Sequence, residues 1–401
     1  MVAQSVAGDE RSAPPVWILI VVSMISPLAI NIFQPSLPGL MDVFAVDYAT
    51  VQLTLTVYLA TYALAQLVAG PLSDRFGRRP IMLGGMVLFA AGSAVCVLAP
   101  TLGILLVGRG VQAIGGSTGL ALARAIVRDV YERRRAASMI GYVTMGFAVA
   151  PALAPMIGGG LDALAGWRAP MAFLLVASVL VLIAAWLRLN ETNGEPHVVS
   201  ARVLASEFGE LGRTPLFWYF TLTSAFASSA FFMFLAGAPY VMIEVLGATE
   251  VEYGYYFVLV AGGYMVGNFL SGRYAGTLGT HPMMLGGCAL QIGGLALCAI
   301  LFAGGLAHPI ALFGPMFVVS IANGLTLPSA LAGAISVRPD LAGSASGFSG
   351  ALQIGLGALM APVVSSLLDR TAWPLVLFML AASVAAFASA LAARAVDRGE
   401  G

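Results

Sequence analysis

Four charged side chains are crowded into one short turn of an otherwise apolar stretch. The segment GPLSDRFGRRP at 70–80 holds Asp74, Arg75, Arg78 and Arg79, whereas the apolar runs on either side carry no charge. An aspartate that accepts charge-assisted hydrogen bonds from arginine can form or lose them as a unit. The turn therefore predicts a polar contact that involves Asp74 and an arginine. A simple cationic anchor would explain the arginines but neither the aspartate nor the glycines.

A second chemical signal is an arginine in the middle of an apolar run. Arg109 and Gln112 lie in GRGVQAIGGSTGLALARAIVRDVY. An arginine inside a bilayer is energetically costly and therefore indicates a function by default. The alternative is structural, in which Arg109 only donates hydrogen bonds to backbone carbonyls.

The composition places these residues in a membrane protein. Of the 401 residues, 59% are hydrophobic and only 9% are charged, and the mean hydropathy is +0.93. A soluble domain carries about 25% charged residues. The net charge is zero, so no nucleic-acid partner is expected. The three cysteines, Cys96, Cys288 and Cys298, have no paired or metal-like spacing, and we expect no metal or cofactor.

Twelve charge-poor runs are long enough to cross a bilayer as helices. A helix needs about 20 apolar residues to span a hydrocarbon core of roughly 30 Å. The predicted spans are 16–40, 49–70, 80–99, 102–127, 137–160, 168–188, 215–240, 253–274, 281–304, 308–332, 343–367 and 373–394.

The placement of arginine predicts that both termini are cytoplasmic, because cytoplasmic loops retain cations. With the N-terminus inside, the opposite face keeps only Arg168 and Arg370. The inside face takes Arg11, Arg75, Arg78, Arg79, Arg128, Arg133–Arg135, Arg188, Arg202, Arg213, Arg273, Arg338, Arg394 and Arg398.

The longest polar stretch divides the chain into two parts of six spans each. Residues 1–188 form the predicted N-terminal half, 189–214 a cytoplasmic linker and 215–401 the C-terminal half. Within the linker, SARVLASEFGELGR has helical spacing and could lie along the membrane surface, although a plain linker is the simpler interpretation.

The two parts repeat each other. LSDRFGRRPIMLGG at 72–85 and LSGRYAGTLGTHPMMLGG at 270–287 keep the same order of residue types, and each joins the second and third spans of its half. Such an echo indicates internal duplication. The sequence therefore predicts an all-α integral membrane protein with twelve transmembrane helices in two pseudo-symmetric halves, and a substrate site between them.

The chain resembles the major facilitator superfamily of transporters over nearly its whole length. The charged turn matches the loop signature G-x-L-x-D-R-x-G-R-R/K of that family. The matching residues are Gly70, Leu72, Asp74, Arg75, Gly77, Arg78 and Arg79. The resemblance implies that this turn contacts neighbouring helix ends in the outward-open state and releases them in the inward-open state.

Further segments resemble motifs of one group within this superfamily, the proton-coupled drug exporters. Arg109, Gln112 and Gly115 fit the R-x-x-Q-x-x-G pattern of proton-coupled drug exporters, in which the arginine influences protonation of nearby acids. The fifth span resembles the antiporter motif of exporters, at Pro151, Pro155, Gly158 and Gly159. Paired prolines and glycines let a helix bend and pack closely.

Three segments look specifically like the Bcr/CflA branch of drug:proton antiporters. They are ARAIVRDVY at 123–131, GWRAPMAFL at 166–174 and AGSASGFSGALQIGLGAL at 342–359. In that branch the first span usually carries an acid, within a stretch resembling D-M-Y-L-P-A-L-P. Here the stretch reads NIFQPSLP, so Asn31 replaces the acid and cannot titrate. Glu244 is the best remaining intramembrane acid, unless it is a helix-end acid facing water.

The facing spans of the two halves should line a cavity with an aromatic wall and few polar groups, which suits a bulky amphipathic ligand. The predicted lining residues are Asn31, Phe33, Gln34, Tyr58, Arg109, Gln112, Phe231, Tyr240, Asn323 and Gln353.

The resemblance implies a multidrug efflux transporter of the bacterial inner membrane that confers antibiotic resistance. We expect it to act as a monomer and to exchange small amphipathic drugs for protons. An alternative is an exporter of a sugar or another endogenous metabolite, uncoupled from protons because of Asn31. A membrane enzyme or sensor should show a nucleophile constellation, a metal cluster or an added domain, and the sequence shows none.

Overall fold

The computed structural model of the chain is built of α-helices. It describes residues 14–131, 133–193, 201–338, 341–368 and 371–399. The helices within those residues are α1 (Val16–Asn31), α2 (Leu40–Phe44), α3 (Tyr48–Phe76), α4 (Arg78–Leu98), α5 (Leu102–Val130), α6 (Arg133–Ala165), α7 (Arg168–Arg188), α8 (Ala201–Gly212), α9 (Pro215–Tyr240), α10 (Glu250–Leu278), α11 (Thr280–Ala303), α12 (Pro309–Val337), α13 (Ala342–Ser366) and α14 (Trp373–Gly399).

Twelve of these helices correspond to the predicted spans, and the remaining two, α2 and α8, are short. In the described part of the chain, eight helices are long and apolar enough to cross a membrane on that basis alone. The helix α5, which carries three arginines, is not among these eight. Arg11 and Arg370 lie outside the described residues, as do the side chains of Arg133–Arg135, Arg202 and Arg398.

Two names are used below for the ends of the bundle. The terminal side is the end where α1 begins and α14 ends, and it also carries the charged turn between α3 and α4. The far side is the opposite end, where α1 ends and α3 begins.

The first span is shorter than predicted. The helix α1 ends at Asn31, and residues 32–39 form turns before α2, although the sequence predicts a helix to 40. Pro35 and Pro38 explain the difference, because proline lacks the N–H that a helix interior requires. Phe33 and Gln34 therefore lie on a turn rather than on a helix.

The repeated Leu-Gly-Gly creates the same helix packing in both halves. A Cβ on Gly85 of α4 would collide with the Thr118 hydroxyl of α5, and a Cβ on Gly287 of α11 would collide with the Thr326 hydroxyl of α12. Small residues let membrane helices approach closely in this way. The duplication that is visible in the sequence thus has an equivalent contact in each half.

The segment predicted to be a plain linker contains a helix that packs on the second half. Glu210 of α8 accepts a hydrogen bond from Arg338 at 2.6 Å, and Glu207 accepts one from Ser344. The ring of Phe208 lies 5.4 Å from that of Phe348. The helical spacing read from the sequence is thereby confirmed, since α8 lies within the predicted linker.

The two halves meet along two pairs of helices. The helix α3 packs against α13, and α6 packs against α10. Each pair joins one helix from the first half to one from the second, so these contacts govern how the halves can move relative to each other.

The packing of the repeated glycines makes a testable prediction. Gly85→Ala and Gly287→Ala should each destabilise the protein by about 1–3 kcal/mol, because the added methyl group overpacks a helix contact. The neighbouring glycines Gly84 and Gly286 have open space at the Cβ position and provide matched controls. Thermal unfolding in detergent is the measurement. Equal unfolding temperatures for Gly85→Ala and Gly84→Ala would contradict the described packing.

Candidate functional site

The charged turn on the terminal side is organised around Arg78. Its Nε donates to Asp129 Oδ2 at 2.9 Å, and Nη1 donates to Ser73 Oγ at 2.6 Å and pairs with the Asp74 carboxylate. The residue is only 9% exposed. Because charge-assisted hydrogen bonds are the strong ones, Arg78 ties together the ends of α3, α4 and α5.

Position 77 favours glycine for two reasons, the backbone conformation and the closeness of the Glu191 side chain. Its φ is +98°, and a Cβ there would collide with the Glu191 carboxylate. That carboxylate accepts the backbone N–H of Arg78 at 2.9 Å and of Arg79 at 3.2 Å, at the first residues of α4. An anion at a helix N-terminus satisfies free donors and complements the helix dipole.

The chain that leaves α7 is fastened to the same turn. Arg79 donates to the carbonyls of Leu189 at 2.7 Å and Trp186 at 3.0 Å. Asn193 Nδ2 donates to the Asp74 carbonyl at 2.8 Å. These contacts all belong to the first half and the segment that follows it.

Two further signature residues, Gly70 and Arg75, make fewer contacts. Arg75 is exposed, with its guanidinium 5.0 Å from the centre of the Phe76 ring. A Cβ on Gly70 would meet open space. In this conformation the turn therefore rests on Asp74, Gly77, Arg78 and Arg79.

The far side is closed by hydrogen bonds between the halves, which we call the far-side seal (Tyr48, Gln52, Ala236 and Tyr240). The Tyr48 hydroxyl and Gln52 Nε2 both donate to the Ala236 carbonyl at 2.7 Å. The rings of Tyr48 and Tyr240 have centres 4.8 Å apart. The seal joins the start of α3 in the first half to the end of α9 in the second.

The end of α9 that carries the Ala236 carbonyl departs from regular α-helical geometry. Pro239 has no N–H to donate to the preceding turn, and the chain continues as a π-helical turn at Val241–Val245. Both features disturb the regular hydrogen-bond pattern of a helix end. The Ala236 carbonyl lies at this disturbed end.

The antiporter-like motif of α6 packs at the same side. Pro151 and Pro155 lie inside the helix, which continues through both. A Cβ on Gly158 would collide with the Ile32 carbonyl of the first half, and a Cβ on Gly159 would collide with the Glu250 carbonyl of α10. The motif therefore brings the backbone of α6 directly against both halves.

Arg109 is a buried node of the first half and is 1% exposed. It donates to the carbonyls of Ala29 in α1 at 3.2 Å and Thr54 in α3 at 3.4 Å, and to Gln112 Oε1 at 2.6 Å. Gln112 in turn donates to Ser93 Oγ of α4 at 2.8 Å. One arginine thus connects four helices.

Aromatic rings complete the surroundings of Arg109. Its guanidinium carbon lies 4.3 Å from the centre of the Tyr58 ring and 5.9 Å from that of Phe33. The Tyr58 hydroxyl is 2.8 Å from Ser26 Oγ. A cation over aromatic faces is attracted by their quadrupoles, and desolvation strengthens that attraction.

The predicted cavity residues differ in how deeply they are buried. Phe33, Tyr58, Arg109 and Gln112 do lie together, but as a packed cluster. The buried members of the predicted set are Asn31, Phe33, Gln34, Tyr58, Arg109, Gln112 and Asn323, whereas Phe231, Tyr240 and Gln353 are half-buried. That the whole set lines one cavity stays a prediction.

Three amide side chains among the predicted cavity residues have an oxygen that accepts no hydrogen bond from the described residues. Asn31 donates to the Pro27 carbonyl and Gln34 to the Ile30 carbonyl. The side-chain oxygens of Asn31, Gln34 and Asn323 are buried without a hydrogen-bond partner among the described residues. Such groups are costly to bury, so these positions are poised to accept a donor in another conformation.

The burial of the acidic residues near the far side does not favour Glu244 as an intramembrane acid. Glu244 lies in the π-helical turn and is exposed, which favours the water-facing alternative. Asp162, one turn from the end of α6, is half-buried, and Gly159 one turn before it packs against the backbone of Glu250 in the second half. Sequence reasoning missed Asp162 because it lies beyond the predicted span. It also missed Asp129 and Glu191, whose partners are distant in sequence.

The carboxylate that caps α4 makes a pH-dependent prediction. Burial alone would raise the pKa of Glu191, but the backbone N–H groups of Asn193, Arg78, Arg79 and Thr192 outweigh it and hold the pKa below its usual value. The stabilisation is therefore present above the unfolded pKa of about 4.3 and is lost as pH falls through the folded pKa. Glu191→Gln should lower the unfolding temperature at neutral pH only.

Scanning fluorimetry across pH measures this difference. Asp42→Asn, at an exposed position of α2, is the control. A destabilisation by Glu191→Gln that stays constant from neutral pH into strong acid would show that the anion is not what stabilises the turn.

The contact between α6 and α10 makes a second prediction. Gly159→Leu should hold the halves apart on the far side, whereas Gly160→Leu should not, because a Cβ on Gly160 meets open space. Spin labels at Val43 and Leu306, both exposed, report the far-side distance by electron spin resonance. A longer distance in Gly159→Leu alone is expected, and identical distances in both variants would refute the contact.

Comparison with known proteins agrees with this architecture. The chain is 30% identical to the chloramphenicol resistance protein of Pseudomonas aeruginosa, covering 92% of this chain and 88% of that protein. It is also 30% identical to multidrug resistance protein D of Escherichia coli, covering 90% and 91%. The chloramphenicol resistance protein fits the Bcr/CflA resemblance.

The fold is shared with solved transporters. A bacterial homolog of the human lysosomal transporter Spinster, in an inward-facing and occupied conformation, has a TM-score of 0.72 at 18% identity, with 96% of each chain covered. The sequence model of the Major Facilitator Superfamily matches residues 19–362. The twelve-helix bundle in two halves is the architecture that the sequence predicts, and the chain belongs to the Major Facilitator Superfamily.

Proposed function

We propose that this transporter exports small amphipathic drugs from a bacterial cell across the inner membrane, as a monomer and in exchange for protons. The proposal rests on the similarity of the chain to two resistance proteins, each 30% identical to it over nearly its full length. The antiporter-like glycines at the contact between halves support export.

The terminal side is assigned to the cytoplasm in this proposal. Arginines cluster at that side, in the charged turn and at the ends of α5 and α7, whereas Arg168 is the described arginine at the far side. Membrane proteins retain cations in cytoplasmic loops. The closed far side then faces the exterior, and a drug enters from the cytoplasm.

Transport requires the two sides to open alternately. Release outward breaks the hydrogen bonds from Tyr48 and Gln52 to Ala236, and the freed halves must close on the terminal side. In this proposal the charged turn makes the contact that closes the terminal side, since Asp74 and Arg75 retain exposed surface there. A ligand shifts this equilibrium only by its differential affinity for the two states.

The proton is assigned to the contact between halves near the far side. Asn31 cannot titrate, and Glu244 is exposed, whereas Asp162 is half-buried one turn from the contact of Gly159 with the Glu250 backbone. Two carboxylates that face each other repel when both are ionised. Protonation of Asp162 would therefore favour closure and its ionisation would favour opening. Arg109 supports the coupling by holding α1 and α3 in place rather than by touching an acid.

Inverted membrane vesicles test the proposal. After the lumen is acidified, added chloramphenicol should release protons, which a pH-sensitive dye reports. Asp162→Asn should abolish this release, while Glu244→Gln and the control Asp42→Asn should keep it. Loss of proton release in Glu244→Gln alone would move the proton site to the π-helical turn at Val241–Val245.

One outcome would contradict proton coupling altogether. If labelled chloramphenicol crosses the membrane without proton release in the native protein, the carrier is uncoupled from protons, as the loss of the acid at Asn31 would allow. If no drug moves at all, the metabolite-exporter alternative takes its place.

A further inference from the structure

A groove on the surface of the first half lies between α3 and α4, and the proposed function does not use it. Its volume is about 800 Å³, which is within the range of roughly 300–1,000 Å³ that ligand sites occupy. Ser117 and Thr118 of α5, both buried, line its base, and the exposed side chains of Leu64 and Val87 lie at its rim.

The lining of the groove is apolar. No charged side chain is among the lining residues, and the polar ones are Thr61, Ser117 and Thr118. The hydroxyls of Ser117 and Thr118 each donate to a carbonyl of their own helix at 2.8 Å. An ordered water needs two to four polar partners, so this lining favours an apolar chain over water.

Gly84 of the repeated Leu-Gly-Gly leaves the groove open. It is an exposed lining residue, and a Cβ there would meet open space. A large side chain at position 84 would therefore extend into the groove. Gly286 holds the corresponding position of the second half and also has open space at its Cβ.

The length of the groove matches one leaflet of a bilayer. On α3 the lining extends from Thr61 to Leu72, which is about 16 Å at 1.5 Å per residue. Half of a hydrocarbon core is about 15 Å thick. Leu72 lies one turn before the end of α3 at Phe76, so the groove extends from the middle of the bilayer to its surface on the terminal side.

Arg75 lies at the surface end of the groove. The lining residues of α3 recur every three or four positions, and Leu72 is the last of them. Arg75, three residues further on, is the next position on the same helix face. It is exposed, with its guanidinium 5.0 Å from the centre of the Phe76 ring.

The other two arginines of the charged turn are already engaged. Arg78 pairs with Asp74 and Asp129, and Arg79 donates to two backbone carbonyls. Among the described residues, no acid pairs with Arg75. Arg75 is therefore the cation of this turn that can pair with an anion at the membrane surface.

We propose that the groove binds an acyl chain of a phospholipid with an anionic headgroup, and that Arg75 pairs with the phosphate of that lipid. A guanidinium matches the geometry of a phosphate, and the apolar lining matches the chain. A neutral drug would leave Arg75 unpaired, and a free phosphate ion would leave the groove empty.

Two phospholipids with identical acyl chains test the headgroup. Phosphatidylglycerol is anionic, whereas phosphatidylcholine has no net charge. Native mass spectrometry of the purified full-length protein measures the Kd of the first bound molecule of each. Phosphatidylglycerol should bind at least about fivefold more tightly, the effect of one arginine near the membrane surface. Glycerol phosphate, the headgroup without chains, should not bind.

Matched variants in the two halves test the place. Arg75→Gln should remove the preference for phosphatidylglycerol, whereas Arg273→Gln, at the corresponding exposed position of α10, should keep it. Gly84→Trp should lose the bound phosphatidylglycerol because the indole occupies the groove, whereas Gly286→Trp should retain it. Because each pair introduces the same residue type, a general effect on folding would appear in both halves.

Three results would overturn the lipid site. The first is equal affinity of the native protein for the two lipids, and the second is phosphatidylglycerol binding that survives Gly84→Trp. The third is displacement of the lipid by chloramphenicol, which would make the groove a drug site. The binding is measured without transport, so failure of the lipid site is distinguishable from failure of chloramphenicol export.

Discussion

One carbonyl oxygen holds the two halves together on the far side. The Ala236 carbonyl accepts hydrogen bonds from both Tyr48 and Gln52. Because both bonds share one acceptor, they are made or broken together as the halves move. The glycine contacts of α6 let the backbones come close enough for this to happen. The conformation of the whole bundle depends on this seal.

A seal between two bodies works only if each body is rigid. In the first half, Arg109 connects four helices near the middle of the bundle, and Arg78 connects the ends of three on the terminal side. Both arginines satisfy buried polar groups, which are strongly directional in a low-dielectric interior. The first half can therefore respond as a unit when the seal opens, and the charged turn travels with it.

Much of the fold could be predicted from the sequence because membrane spans follow from hydropathy and length. Gln112 could be placed beside Arg109, since residues three apart share a helix face. The pairing of Glu191 with the start of α4 could not, because its partners are more than a hundred residues away. Burial of Asn31 and Gln34 could not either, since burial depends on which side of the bundle is closed.

Hydrogen–deuterium exchange on a Tyr48→Phe, Gln52→Leu double variant tests the central claim most directly. The account predicts faster exchange at the far-side ends of α3 and α9, together with slower exchange at the terminal-side ends of α3 and α13, because opening one side closes the other. Faster exchange confined to the far side, with the terminal side unchanged, would contradict it. The bonds to Ala236 would then be local packing and not the contact that sets the conformation of the transporter.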